Sequence, residues 1–143
     1  MDARAWFVAG TVPLIAAGGL HVAGALLDTL RPTFFTPVDD TVRTASDGTG
    51  IRLSGHSRAD PSMWRVWLGV HISHGLGVLA FGLVCLLVAL DDFATADRIG
   101  LLPIAVGFSA TYVVLSVRFW FSGPLAITTS STACFVVAAV LAG

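Results

Sequence analysis

Lysine and glutamate are missing from this chain: all eight basic residues are Arg and all nine acidic residues are Asp. That restriction reads as the codon bias of a GC-rich genome. Charge of either sign is scarce, 12% of residues against roughly 25% in an average soluble chain. With a net charge of -1, the clustered basic excess that nucleic-acid binding requires is also absent. Cys85 and Cys134, the two cysteines, both fall in apolar runs where a thiol behaves as a small hydrophobe. No disulfide framework is expected and no redox compartment is indicated. Soluble-enzyme motifs are missing too: there is no phosphate-cradling glycine loop, no G-x-S-x-G and no H-E-x-x-H.

What is present is hydrophobicity. Apolar residues make up 55% of the 143 and mean hydropathy is +0.84, which describes one membrane domain rather than a soluble globule. The most informative stretch is 61–90. After Arg65 it runs to Leu90 without a formal charge, long enough at ~1.5 Å per residue to cross a ~30 Å hydrocarbon core. Yet its first half carries His71, Ser73 and His74, and ionisable side chains at membrane depth are costly enough to suggest function.

The expected fold is all-α: a polytopic antiparallel bundle of four transmembrane helices, spanning about 5–27, 62–90, 98–120 and 124–141, with a long polar loop over 29–60. The first span has the outline of a secretory signal, with Arg4, an apolar run and Ala23-Gly24-Ala25, but is read as permanent. Along it Gly10, Leu14, Ala17, His21, Gly24 and Asp28 form one helical stripe, mostly of small residues that let helices approach, so the stripe should face protein. Pro13 is a site for a kink. In the loop, Thr36-Pro37-Val38-Asp39 reads as an N-cap and first turn, Asp39 and Arg43 as an i,i+4 pair, and Asp47-Gly48-Thr49-Gly50 as the stop of a short interfacial helix. Phe34 and Phe35 suit the headgroup region.

Asp60-Pro61 should cap the second span, in which Trp67, His71, His74, Val78, Phe81 and Cys85 share one side. Gly69, Ser73 and Gly77 form a small-residue ridge expected to pack on a neighbouring helix. Ser109, Tyr112 and Ser116 share a face of the third span, and the tight turn at 121–124 makes the third and fourth spans antiparallel neighbours. Six Arg (Arg31, Arg43, Arg52, Arg58, Arg65 and Arg118) lie on the loop side against Arg4 and Arg98 opposite. The positive-inside rule therefore places the loop in the cytoplasm and both termini outside a bacterial inner membrane.

His21, His71, His74, Ser109, Tyr112 and the hydroxyls from Thr128 to Thr132 all fall in the loop-side halves of their spans. Four helices so patterned predict a polar chamber with an apolar floor, ringed by Trp64, Trp67, Phe119, Trp120 and Phe121. In it, a lipophilic molecule with a polar end would meet His74 and His21 as acid and base, since an imidazole exchanges protons near neutral pH, with His71, nearer the interface and more easily wetted, as a further catalytic candidate. Asp28 and Tyr112 would orient them. Arg65 and Arg118 would hold an anionic head, with Trp67, Ser109 and Thr128 as further binding residues. Isomerisation, cyclisation or hydration of an isoprenoid or sterol-like lipid is the reaction type that fits.

Plainer readings stand beside these. The histidines would pin helices together, the arginines snorkel to the interface, Asp28 serve as a helix-end carboxylate, the hydroxyls bond to their own helix, and His56 face solvent. His21, His71 and His74 could instead ligate a divalent metal, or two of them a haem b, giving a redox protein. A non-enzymatic subunit of a larger complex is a third class. A homo-oligomer is expected in each case, because small residues occupy more than one face.

The segments Gly69-Val-His-Ile-Ser-His-Gly-Leu-Gly77 and Gly19-Leu-His-Val-Ala-Gly24 resemble those of small four-span bacterial membrane proteins of uncharacterised function. That resemblance implies a fold class and no activity. The layout also resembles the four-span glutathione-transferase and eicosanoid-synthase family, which places Arg, Asn and Glu along its second helix. Here Arg65 is followed by two histidines and there is no Glu, so the resemblance implies the layout without glutathione chemistry.

Overall fold

A computed structural model describes the backbone of residues 1–53 and 56–143, and the side chains outside 51–61. The side chains of Arg52, His56, Arg58 and Asp60, on which sequence expectations rest, thus lie outside the described ones. The elements are α1 (Ala3–Asp28), α2 (Asp40–Gly48), β1 (Gly50–Leu53), β2 (His56–Ser62), α3 (Met63–Asp91), α4 (Phe93–Arg98), α5 (Leu101–Phe119) and α6 (Ser122–Ala142). Of these, α1, α3, α5 and α6 are long and apolar enough to cross a membrane, which fits a multi-pass membrane protein. β1 and β2 form a two-stranded antiparallel ribbon inside what the sequence predicts as loop.

Local boundaries moved for identifiable reasons. α2 begins at Asp40 because Asp39, not Thr36, is its N-cap: the Asp39 carboxylate accepts from the Thr41 N–H at 2.8 Å and the Thr41 hydroxyl at 2.7 Å. Those bonds hold its carboxyl below the usual carboxylate range, the Thr41 hydroxyl contributing most. With Asp39 so occupied, Arg43 pairs one turn onward with Asp47 at 3.2 Å rather than with Asp39. The backbone of Asp60 and Pro61 belongs to β2, and α3 begins at Met63, where the Arg65 N–H reaches Ser62 Oγ at 3.4 Å; the expected Asp60 cap lies outside the described side chains. The expected third span starts three residues later, as α5, and the turn before it holds a short helix: Asp92 caps α4 through the Ala94 N–H, Gly100 turns the chain at φ 74°, and α5 runs on from Leu101. The positive φ suits glycine, which has no Cβ to clash there.

The chain divides into two compact units, Met1–Gly18 with Gly77–Gly143, and Gly19–Leu76. The first holds the apolar core. Phe7 packs on Phe135 with ring centroids 5.1 Å apart and edge-on against Phe93 at 5.8 Å, beside the fully buried Leu14, Cys85 and Ala105. Glycines permit this approach: a Cβ on Gly10 would lie 2.7 Å from the Phe135 ring, and one on Gly82 2.8 Å from Ile15 Cγ1. Arg4 donates to the carbonyl of Leu90 at 2.9 Å, placing a cation at the negative C-terminal end of α3. α5 and α6, joined through Trp120–Phe121, pack along each other as a helical hairpin. Cys85 and Cys134 are free thiols.

The predicted stripe of α1 does face protein: Gly10, Leu14, Gly24 and Asp28 are buried, and Ala17 and His21 half-buried. The predicted ridge of α3 does not. Gly69, Ser73 and Gly77 are exposed, and a Cβ added to Gly69 or Gly77 would meet nothing within 4 Å. Replacing Gly77 by Ala is therefore expected to raise thermal stability in detergent, by up to ~1 kcal/mol from helix propensity; a drop in stability would show that this face is packed in the assembled protein.

Candidate functional site

The second unit, Gly19–Leu76, brings three imidazoles together. The loop-side end of α1 supplies His21, seven residues before Asp28. The first turns of α3 supply His71 and His74, which share a helix face at i,i+3. His21 Nε2 and His71 Nδ1 are 2.9 Å apart and hydrogen-bonded, with ring centroids at 5.0 Å and nearly parallel planes. His74 stands edge-on to His21 at 5.1 Å. The sequence favoured His21 with His74 as the working pair and took His71 for the wetted one. The hydrogen bond in the structure joins His71 to His21, and His71 Nε2 is buried with no hydrogen-bond partner among the described residues.

Above these rings lies Phe35, 4.4 Å from His71 and stacked within 18°, and 4.4 Å from His21. Trp67 meets His71 edge-on at 4.4 Å, and its indole N–H donates to the Phe35 carbonyl at 2.8 Å. Phe35 was expected to dip into headgroups; only Phe34, 63% exposed, is placed to do so. Asp28 explains the difference. Its carboxylate accepts from the backbone N–H groups of Thr33 (2.7 Å), Phe34 (2.9 Å) and Phe35 (2.6 Å), which folds the chain after α1 back onto the histidines. Gly24 leaves room for the return, since a Cβ there would lie 3.1 Å from the Phe35 ring. Among the described residues Asp28 thus hydrogen-bonds to neither an imidazole nor an arginine, and its bonds set the position of Phe35.

Beyond Phe35 and Trp67 is a pocket of about 390 Å³ lined by Phe35, Thr36, Pro37, Ser46, Met63, Trp64 and Trp67. Within this unit the imidazoles therefore pack on one another and under Phe35, and the pocket lies across two aromatic walls from them. The sequence reading missed Phe35, Thr36, Ser46 and Met63 as site residues. One signal was available: a carboxylate at a helix C-terminus opposes the macrodipole, so a buried Asp28 must have donors of its own.

The other expected binding residues belong to the first unit. Ser109 donates to the Ala105 carbonyl at 2.8 Å and Thr128 to that of Pro124 at 2.9 Å; Thr111, Ser130 and Thr132 also bond back to their own helices. These hydroxyls follow the plainer reading. Ser109, Tyr112 and Ser116 do share an inward face, where Tyr112 packs on Phe108 at 4.9 Å. Arg118 in this unit is exposed, as is Arg65 in the second, in keeping with snorkelling.

The metal alternative does not fit the imidazole pair. Two nitrogens bound to one tetrahedral metal at ~2.0–2.1 Å stand roughly 3.4 Å apart, whereas 2.9 Å is a hydrogen-bond length. Among the described residues no group of three His, Cys, Asp or Glu side chains has metal-holding geometry. The same bond leaves no room for a haem iron between His21 and His71. No protein-family model matches the chain, nor does any curated protein or solved structure.

Proposed function

We propose that this is a bacterial inner-membrane protein, an antiparallel four-span bundle with its loop side in the cytoplasm, that binds a lipophilic molecule beside the histidines and moves a proton on it. The observation that carries the reading is the buried, unpartnered Nε2 of His71, whose other ring nitrogen is bonded to His21. A buried polar atom without a partner costs ~1–3 kcal/mol, so a polar group on a ligand that reached it would be held there.

The pair has two neutral arrangements. With the proton on His71 Nδ1, that N–H donates to His21 and His71 Nε2 presents a lone pair, a general base. With the proton on His21 Nε2, His71 carries its own proton on Nε2 and presents an acid. When Nε2 takes a proton from the ligand, the Nδ1 proton passes to His21, which becomes an imidazolium balancing the negative charge left on the ligand; the return step runs the relay backward, delivers the proton to another atom of the same ligand and restores both neutral rings. Proton relocation within one uncharged lipid, the chemistry of an isomerase or cyclase, needs that outward and return transfer in turn. His74, edge-on to His21, and Phe35, stacked on His71 and tilted against His21, keep the rings in register.

Mass spectrometry of lipids retained by protein purified from native membranes tests this. A lipophilic species enriched on the wild type should fall at least tenfold on His21→Ala and His71→Ala, while Thr111→Ala, a hydroxyl bonded within its own helix, retains it. Equal retention by all four would overturn the reading.

A further inference from the structure

The pocket beyond Phe35 and Trp67 carries a statement about ligand class. Among the described residues its lining holds three aromatic rings (Phe35, Trp64 and Trp67), two apolar side chains (Pro37 and Met63), two hydroxyls (Thr36 and Ser46) and no charged group. Yet charged residues are close in sequence: Asp40, Arg43 and Asp47 all belong to α2, which contributes only Ser46 to the walls. A phospholipid head buried here would lose its water and gain no counter-charge from the described lining residues, which is costly. A flat ring would offset-stack on the aromatic faces; a ring carbonyl could accept from the Thr36 hydroxyl, and a ring hydroxyl could donate to Ser46 Oγ, whose own proton goes to the Val42 carbonyl. At about 390 Å³ the pocket falls in the ~300–1,000 Å³ range of small-molecule sites.

We propose that this pocket takes the planar, uncharged, oxygen-bearing ring headgroup of a lipid, the chemistry of a quinone or phenolic isoprenoid, stacked on Phe35, Trp64 and Trp67. The proposal goes beyond the proton-transfer reading and rests on it only for the placement of the chain in a membrane. Phe35 and Trp67 line the pocket and also pack on His71, so a headgroup there shares two walls with the imidazole cluster. The bond from the Trp67 indole to the Phe35 carbonyl ties the two walls together.

The test uses the full chain carrying Trp6→Phe and Trp120→Phe, which leaves Trp64 and Trp67 as the only indoles, in phosphatidylcholine nanodiscs titrated with decylubiquinone. Saturable quenching is expected, with affinity reduced at least tenfold by Ser46→Leu; that substitution fills the pocket from α2, a helix with no buried residues, and leaves the fold intact. Lysophosphatidylglycerol should not compete. Quenching that rises without saturating, that Ser46→Leu leaves unchanged, or that the charged lipid reverses would overturn the proposal. Saturable quenching sensitive to Ser46→Leu, together with unchanged lipid retention in His71→Ala, would uphold the pocket and overturn proton transfer. Lipid retention lost in His71→Ala without saturable quenching would do the opposite.

Discussion

Replacing Asp28 by Ala is expected to destabilise the protein by about 3 kcal/mol and to release Phe35 from the histidines. Asp28 is 1% exposed, with three backbone N–H donors converging on it from Thr33, Phe34 and Phe35. Bonds to a charged acceptor are worth ~1.5–3 kcal/mol each, but the three are not additive: the freed segment can turn to water, which caps the loss at what the folded-back segment contributes. Asp28→Asn separates the components. Thr33 and Phe34 donate to Oδ1 and Phe35 to Oδ2. An amide oxygen can keep the first two, while its NH₂ cannot accept from Phe35. The asparagine variant should lose amide hydrogen-exchange protection at Phe35 ahead of Thr33 and Phe34, and the alanine variant at all three. Full protection in both variants would mean that the segment is held by something other than this carboxylate.

Gly10→Ala should destabilise, reversing the usual sign. In an exposed helix interior the change from glycine to alanine is favourable by roughly 0.5–1 kcal/mol. Here the new methyl would lie 2.7 and 2.8 Å from two Phe135 ring carbons and 3.2 Å from Cys134 Cβ. The ring cannot swing aside cheaply, because Phe135 is fully buried against Phe7. Either α1 moves off α6 or the ring leaves its rotamer, at a cost of ~1–3 kcal/mol. Denaturant unfolding of Gly10→Ala, Phe135→Leu and the double variant forms a cycle. The smaller side chain should recover most of the loss. Strictly additive effects would show that the two positions do not meet.

The parts of the fold legible beforehand were those written in periodicity. The four long apolar helices and the inward stripe from Gly10 to Asp28 followed from spacing alone, because burial on a helix repeats with the turn. Small residues were less dependable: Gly10 and Gly82 sit at close approaches, while Gly69 and Gly77 face open space, and no local pattern distinguishes a packed glycine from an exposed one. The histidines were recognisable as unusual, but their pairing was not. Which ring bonds to which depends on the rotation of α1 against the first turns of α3. Phe35 was least accessible, since its position follows from a non-repeating segment caught by one carboxylate. The α2 shift has the same origin: Asp39 was read as a helical residue when its bonds to Thr41 make it the cap.

The account depends most on the bond between His21 Nε2 and His71 Nδ1, and ¹⁵N NMR of ring-labelled histidine in the full chain tests it directly. A through-hydrogen-bond nitrogen–nitrogen coupling should connect those two resonances, vanish in His21→Ala and weaken in Asp28→Ala as Phe35 leaves. Two uncoupled rings, each with both nitrogens in fast exchange with water, would contradict the bonded pair and with it the proton path drawn from it.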